Sequence, residues 1–151
     1  MKVSIGKYPD HGPWSNWLLN VFGYEANQTV KVKIDPWDTW SMDHTLAPII
    51  LPMLKQLKET KHGSPEVDDK DVPEHLRSTS APPKKEDWDI DDNWHKRWDW
   101  VLDEMIYAFD CKANKDDVFM RFKDENEMQK EQGRISNGFR LFGKYYENLW
   151  D

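Results

Sequence analysis

Apolar residues recur at spacings of three and four between Met42 and Leu57: Met42, Leu46, Ile49, Ile50, Met53, Leu54 and Leu57. That is the stripe of a helix with one face against a core. A second stripe runs through Trp94, Trp98, Val101, Met105 and Phe109, widened by Leu102 and Ile106. Ile135, Phe139, Phe142, Tyr146 and Leu149 form a third. Trp14, Trp17, Leu18, Val21 and Phe22 keep the same spacing over a shorter stretch that Gly23 closes. Two segments alternate instead. Val3 and Ile5 do so near the start; in Thr29–Asp35, Val30, Val32 and Ile34 face one way and Lys31 and Lys33 the other. Paired, these strands make a small sheet that is marginal in water until helices or another chain's sheet cover it. The pattern predicts an α+β, mainly helical fold, with three principal helices packed with a small two-stranded sheet.

Proline and glycine punctuate this plan. Asp35-Pro36 turns the chain into the central helix, where Asp38 or Ser41 is placed to cap free backbone amides. Pro48 and Pro52 each remove a backbone donor. A regular helix starting near Thr45 places Pro48 in its first turn; the alternative is a kink whose freed His44 carbonyl joins a site. His62-Gly63-Ser64-Pro65 ends the helix, and the polar, proline-rich stretch at about 63–92 reads as a lid or wrapping segment. A single domain spanning 1–151 is expected. Asp116–Phe122 reads as loop or short strand, and a charged run from Lys123 to Gln132 leads into the last helix. Gly133, Gly138 and Gly143 each weaken that helix by roughly 1 kcal/mol relative to alanine, which close approach of another backbone would explain.

Composition narrows the function classes. A chain of 151 residues suits one domain with a real core. Its net charge of -7 disfavours a general nucleic-acid binder, whose affinity rests on neutralising phosphates. Nine tryptophans, six phenylalanines and five tyrosines supply large buried areas, so a hydrophilic average coexists with a firm core. Cys111 stands alone, which excludes an intramolecular disulfide and a cysteine-based zinc site. No charged-then-apolar leader opens the chain, and the longest apolar run, Leu46–Leu54, falls far below the roughly 20 residues that span a bilayer. A soluble, intracellular protein without a membrane partner is expected.

Two constellations carry candidate chemistry. The first is acidic: Asp43 and His44 on the central helix, with His95, Asp99 and Asp103 one turn apart on the second. Antiparallel helices would gather Asp43, His44, Asp99 and Asp103 around a divalent metal, although no Glu-x-x-His pair of the kind bundle metal enzymes use stands in the right place. Charges at this spacing equally suit a solvated helix face. The second is basic and aromatic. Arg134, Asn137, Arg140 and Lys144 form a row beside the third stripe, with Trp37, Trp40 and His44 as stacking and hydrogen-bonding partners. Guanidinium groups grip phosphates through paired donors, and indoles stack on bases. Glycine-rich phosphate loops, Gly-x-Ser-x-Gly elbows and His-Glu-x-x-His pairs are absent from the sequence.

The runs W-D-T-W-S-M-D-H-T-L-A-P-I-I-L-P-M-L-K-Q-L-K, R-W-D-W-V-L-D-E-M-I-Y-A-F and G-F-R-L-F-G-K-Y-Y-E-N-L-W-D together resemble a small protein family of tailed bacteriophages to which no reaction is attached. The resemblance spans most of the chain. It implies a virus-encoded accessory or minor structural protein in the cytoplasm of an infected bacterium. Small phage proteins of this kind include non-enzymatic binders that sequester nucleotide signals of host immunity. With the basic row, this yields the expected function: a non-catalytic, cofactor-free binder of a phosphate-bearing small molecule, assembled as a homo-oligomer. A metal-dependent hydrolase of a nucleotide-like ligand and a virion or host-protein interaction module are the alternatives.

Overall fold

The alternating segments do make a sheet. β1 (Lys2–Ile5) pairs antiparallel with β2 (Val30–Lys33) in a computed structural model that describes residues 1–6, 14, 17, 21, 22, 28–84, 86, 88–114 and 124–150. The register opposes Val3 to Val32 and Ile5 to Val30, so one face is aliphatic. Lys2 opposite Lys33 and Ser4 opposite Lys31 make the other face basic. Backbone packing divides the chain into two units, Met1–Met42 and Asp43–Asp151. In the first, Asp35 caps a 3-10 turn, Pro36–Thr39, by accepting from the Trp37 amide at 3.0 Å. Asp38 reciprocates by accepting from the Asp35 amide at 2.7 Å. Trp37 and Trp40 meet across this turn with ring centroids 6.2 Å apart. The helix expected over 14–22 falls mostly outside the described residues; Trp14, Trp17, Val21 and Phe22 are described, and all four are exposed.

The second unit is built on three helices, α1 (Met42–Thr60, whose first residue closes the preceding unit), α2 (Trp94–Ala113) and α3 (Glu125–Lys144). The fold is therefore α+β and mainly helical. No helix among the described residues is long and apolar enough to cross a membrane. α1 begins at Met42 rather than near Thr45, so Pro48 and Pro52 both lie inside it. α3 begins within the charged run, where Asp124 caps it by accepting from the Asn126 amide at 3.2 Å. The segment expected as loop or strand at 116–122 lies outside the described residues.

The core joins all three helices. Trp98, Val101, Leu102 and Met105 of α2 are almost wholly buried, as the second stripe predicts. α1 contributes Ala47, Leu51 and Leu54, while Leu46 and Met53 of its predicted stripe point outward. On the last stripe the buried line is shifted by one position: Ile135, Leu141 and Tyr145 are inside, and Tyr146 is exposed. The aromatic residues of that stripe still pack. Phe109 meets Phe139 and Phe142 edge-on, with centroids 5.1 and 4.8 Å apart. α1 and α2 run antiparallel, linked by Lys58–Asp103 at 2.5 Å, Lys61–Asp99 at 2.7 Å and Lys112–Asp43 at 2.9 Å.

The stretch expected as a lid or wrap lies on these helices. It carries three short 3-10 turns, Asp69–Asp71, Glu74–Leu76 and Ser78–Ser80. Val67 and Val72 enter the core, and Leu76 packs beside it. This stretch, not a helix, brings buried carboxylates to the ends of α2 and α3.

Candidate functional site

The predicted basic row does form on α3, but its members separate by partner. Arg134 stacks over Tyr107, with its guanidinium 3.7 Å from the ring centroid, and forks onto Glu104 of α2 at 2.7 and 3.1 Å. Asn137 accepts from Arg140 at 2.9 and 3.0 Å. Arg140 reaches Asp71 at 2.9 Å, and Lys144 donates to both Asp68, at 3.0 Å, and Asp71. Tyr145 completes the cluster: its hydroxyl donates to Asp71 at 2.8 Å and accepts from the Asp68 amide at 3.1 Å. Asn137, Arg140 and Lys144 are thus brought together around Asp71, and Arg134 is not. Trp37 and Trp40 belong to the other unit, where they are exposed. His44 contacts the Lys112 carbonyl through Nδ1 at 2.9 Å.

The alternative metal set is spent in a different way. Asp43, Asp99 and Asp103 each face a lysine. Among the described residues, no group of three or more histidine, cysteine, aspartate or glutamate side chains is placed to hold a metal ion. His95 bonds the Ser64 hydroxyl at 2.9 Å.

Beside the Asp71 cluster lies a second buried pair that the apolar pattern gives no hint of. Arg97, only 3% exposed, forks onto Asp91 at 2.7 and 2.8 Å and donates to the Leu76 carbonyl at 3.3 Å. Its Nε–H has no acceptor among the described residues. Between the two clusters is a cavity of about 510 Å³, lined by Glu66, Asp68, Asp69, Asp91, Arg97 and Lys144, with the Trp94 indole at its wall. Ser78 donates from both backbone and hydroxyl to Asp69 across one side.

The electrostatics of this cavity push every shifted group away from neutrality. Hydrogen bonds from Lys70 and Lys144 hold Asp68 at about 2. The Ser78 hydroxyl and amide lower Asp69, and the Arg97 fork lowers Asp91. Burial alone would raise Asp71, but the bonds from Lys144, Tyr145 and Arg140 together hold it down. Asp91 in turn raises Arg97. Burial opposes the charge on Lys144, yet its bonds to Asp71 and Asp68 raise it. Burial also raises the Tyr145 hydroxyl. The four aspartates are thus biased toward their ionised form, and Arg97 and Lys144 toward their charged form.

These shifts set an acid limit. A carboxyl whose folded value lies below its unfolded one stabilises the fold above the unfolded value, and that contribution is lost as pH falls through the folded value. With Asp68 at about 2 against an ordinary 3.8, and the other three lowered as well, stability should drain away between about pH 4 and pH 2. Thermal melts across that window should show Tm falling with pH. Asp71→Asn should make the slope shallower, and a wild-type Tm that stays level down to pH 2 would contradict the ionised cluster.

The sequence marks Arg140 and Lys144 as part of a basic row but does not mark their partners Asp68 and Asp71 or the Asp91–Arg97 pair. The one available signal was turn chemistry packed with acids, 66–71 and 86–92, facing helices that carry basic residues near their ends. No known protein family, curated protein or solved structure matches this chain.

Proposed function

We propose that this protein is a non-catalytic binder of a small polar molecule, seated in the cavity between the Asp71 and Asp91 clusters, and that the preferred ligand is a small organic cation such as a primary amine or a guanidinium. The charge of the lining carries this reading. Four carboxylates, Glu66, Asp68, Asp69 and Asp91, face two cations, Arg97 and Lys144, and both cations already sit on carboxylates. With Lys70 also on Asp68 at 2.8 Å, one negative charge is left over, which favours a cation, and the indole of Trp94 adds an aromatic wall that cations prefer. The volume falls in the roughly 300–1,000 Å³ range of small-molecule sites. Binding without chemistry accords with Asp68, Asp69 and Asp91 being held below the ordinary carboxylate value and Arg97 and Lys144 being raised.

The phosphate-bearing ligand remains the second reading, because two cations of the predicted row, Arg140 and Lys144, converge on Asp71, although Arg134 does not join them. A phosphate would have to take Lys144 from Asp68 and Asp71, losing two charge-assisted bonds to gain others. The setting we propose, the cytoplasm of a phage-infected bacterium, rests on the sequence resemblance alone.

Melting curves with a panel of amines (putrescine, spermidine, agmatine) and a panel of linear and cyclic nucleotides separate the two readings. An amine at a hundred times its Kd should stabilise the fold by about 2.7 kcal/mol through linkage, and Glu66→Gln with Asp68→Asn should reduce the gain. Stabilisation by nucleotides alone would transfer the site to the phosphate reading. If neither panel moves Tm, the cavity binds no such ligand. Chromatography of heat-released ligand completes the test: an intact molecule fits a binder, and new products point to the hydrolase.

A further inference from the structure

The first unit presents its apolar side chains to solvent. None of its described residues is buried, whereas every buried side chain of the described chain lies in the second unit. All four residues of β2 are exposed, and among the described residues β1 and β2 are both edges of a two-stranded sheet. An edge strand carries a row of backbone donors and acceptors ready to take another strand. The side chains of β2 decide which strand fits. Lys31 and Lys33 lie on one face, and Val30 and Val32 on the other. A second β2 would set lysine against lysine, and like charges directly opposite are destabilising. The fitting strand places acids opposite the lysines and apolar residues beside the valines.

This chain contains a segment with that alternation, held here in a turn by the Asp89 amide, which donates to the Glu86 carbonyl at 3.1 Å and would be released on pairing. From 87 to 91 the sequence reads D-W-D-I-D, acid and apolar in strict alternation. Trp88 is 81% and Ile90 51% exposed, so both apolar side chains of the segment stand in solvent. Asp91 is fixed to Arg97, which anchors the segment at its far end. Charge also divides in the required sense. Residues 1–42 balance Lys2, Lys7, Lys31 and Lys33 against Asp10, Glu25, Asp35 and Asp38, so the whole net charge of -7 resides in 43–151.

We propose that the outer edge of β2 pairs with the Trp88–Ile90 segment of a second copy of this chain, Lys31 and Lys33 meeting its Asp89 while Trp88 and Ile90 extend the Val30–Val32 face. In a two-fold dimer the contact is made twice, because each copy carries both halves. Main-chain bonds supply the attachment and the alternating side chains the specificity, as in strand addition generally.

Sedimentation of the full chain over a range of micromolar concentrations tests this. The wild type should self-associate, less so in high salt, where exposed charges are screened. Lys31→Glu with Lys33→Glu should weaken association at least tenfold, and Asp89→Lys should do the same. Mixing these two variants should restore a heterodimer, since the glutamates of one then meet the lysine of the other and each homodimer is repelled. All variants should keep wild-type helical circular dichroism, as the substituted side chains are not in the core. A single-chain mass at every concentration overturns the proposal, and so does self-association that ignores the charge reversals or is not restored by mixing. The cavity ligand plays no part in this experiment, so its outcome is independent of the function proposed above.

Discussion

Asp91→Ala is expected to destabilise the fold by about 3–5 kcal/mol, the range for removing one partner of a buried ion pair. Asp91 and Arg97 are both nearly inaccessible, 8% and 3% exposed. Alanine at 91 leaves the guanidinium with the Leu76 carbonyl as its remaining acceptor among the described residues. Nε is already without a partner among the described residues, so the charge would stay buried with most of its donors unsatisfied. The Asn93 amide, which donates to Asp91 at 2.9 Å just before α2, would lose its partner as well. Domains typically hold about 5–15 kcal/mol in total, so the variant should be barely folded at 37 °C. Urea unfolding measures this directly. The diagnostic control is Asp91→Ala combined with Arg97→Met, which removes the orphaned charge and keeps the volume of the stem; it should recover much of the loss. If the double variant is as unstable as the single one, the pair is not what holds the 61–93 stretch against α2.

That ion pair also marks the limit of what the chain reveals before folding. Periodicity finds α2 through Trp98, Val101, Leu102, Met105 and Phe109, because those positions obey the helix repeat and all are buried. It finds the β1–β2 pairing through the alternation of Val30 to Lys33, and the observed register opposes the residues that alternation places together. It misplaces the buried line of the last helix by one residue. Leu141 and Tyr145 are inside because Gly138 brings α3 onto α2 along the line 135-138-141-145. A glycine adds nothing to a hydrophobic stripe, so the pattern followed Phe139 and Phe142 instead. The site was half legible for a related reason. Arg140 and Lys144 announce themselves as a basic row in an acidic chain. Their acceptors, Asp68 and Asp71, come from irregular backbone, where no repeat fixes which side chains turn inward. Buried charge pairs are set by tertiary contact alone, and Asp91 and Arg97, six positions apart, look in sequence like two more surface charges.

Gly138 itself carries the remaining large effect. A Cβ there would lie 2.4 Å from the Glu104 carbonyl oxygen and 2.6 Å from the Ala108 Cβ. Neither neighbour can rotate away, since one is helix backbone and the other a methyl on a buried position. Gly138→Ala therefore has to push α3 off α2, and overpacking of that kind costs about 1–3 kcal/mol, occasionally more. The helix-forming advantage of alanine, roughly 1 kcal/mol, offsets only part of it. The displacement would also reach Arg134, one turn earlier on the same face, and lengthen its fork to Glu104. The same helix supplies its own controls. At Gly133 and Gly143 an alanine methyl would meet nothing within 4 Å among the described residues, so alanine at either should stabilise the protein by up to about 1 kcal/mol through propensity alone. Urea midpoints of the three single variants are expected to split in sign, with Gly138→Ala falling and the other two rising. Three midpoints that all rise together would mean that α2 and α3 do not approach each other as closely as Gly138 allows.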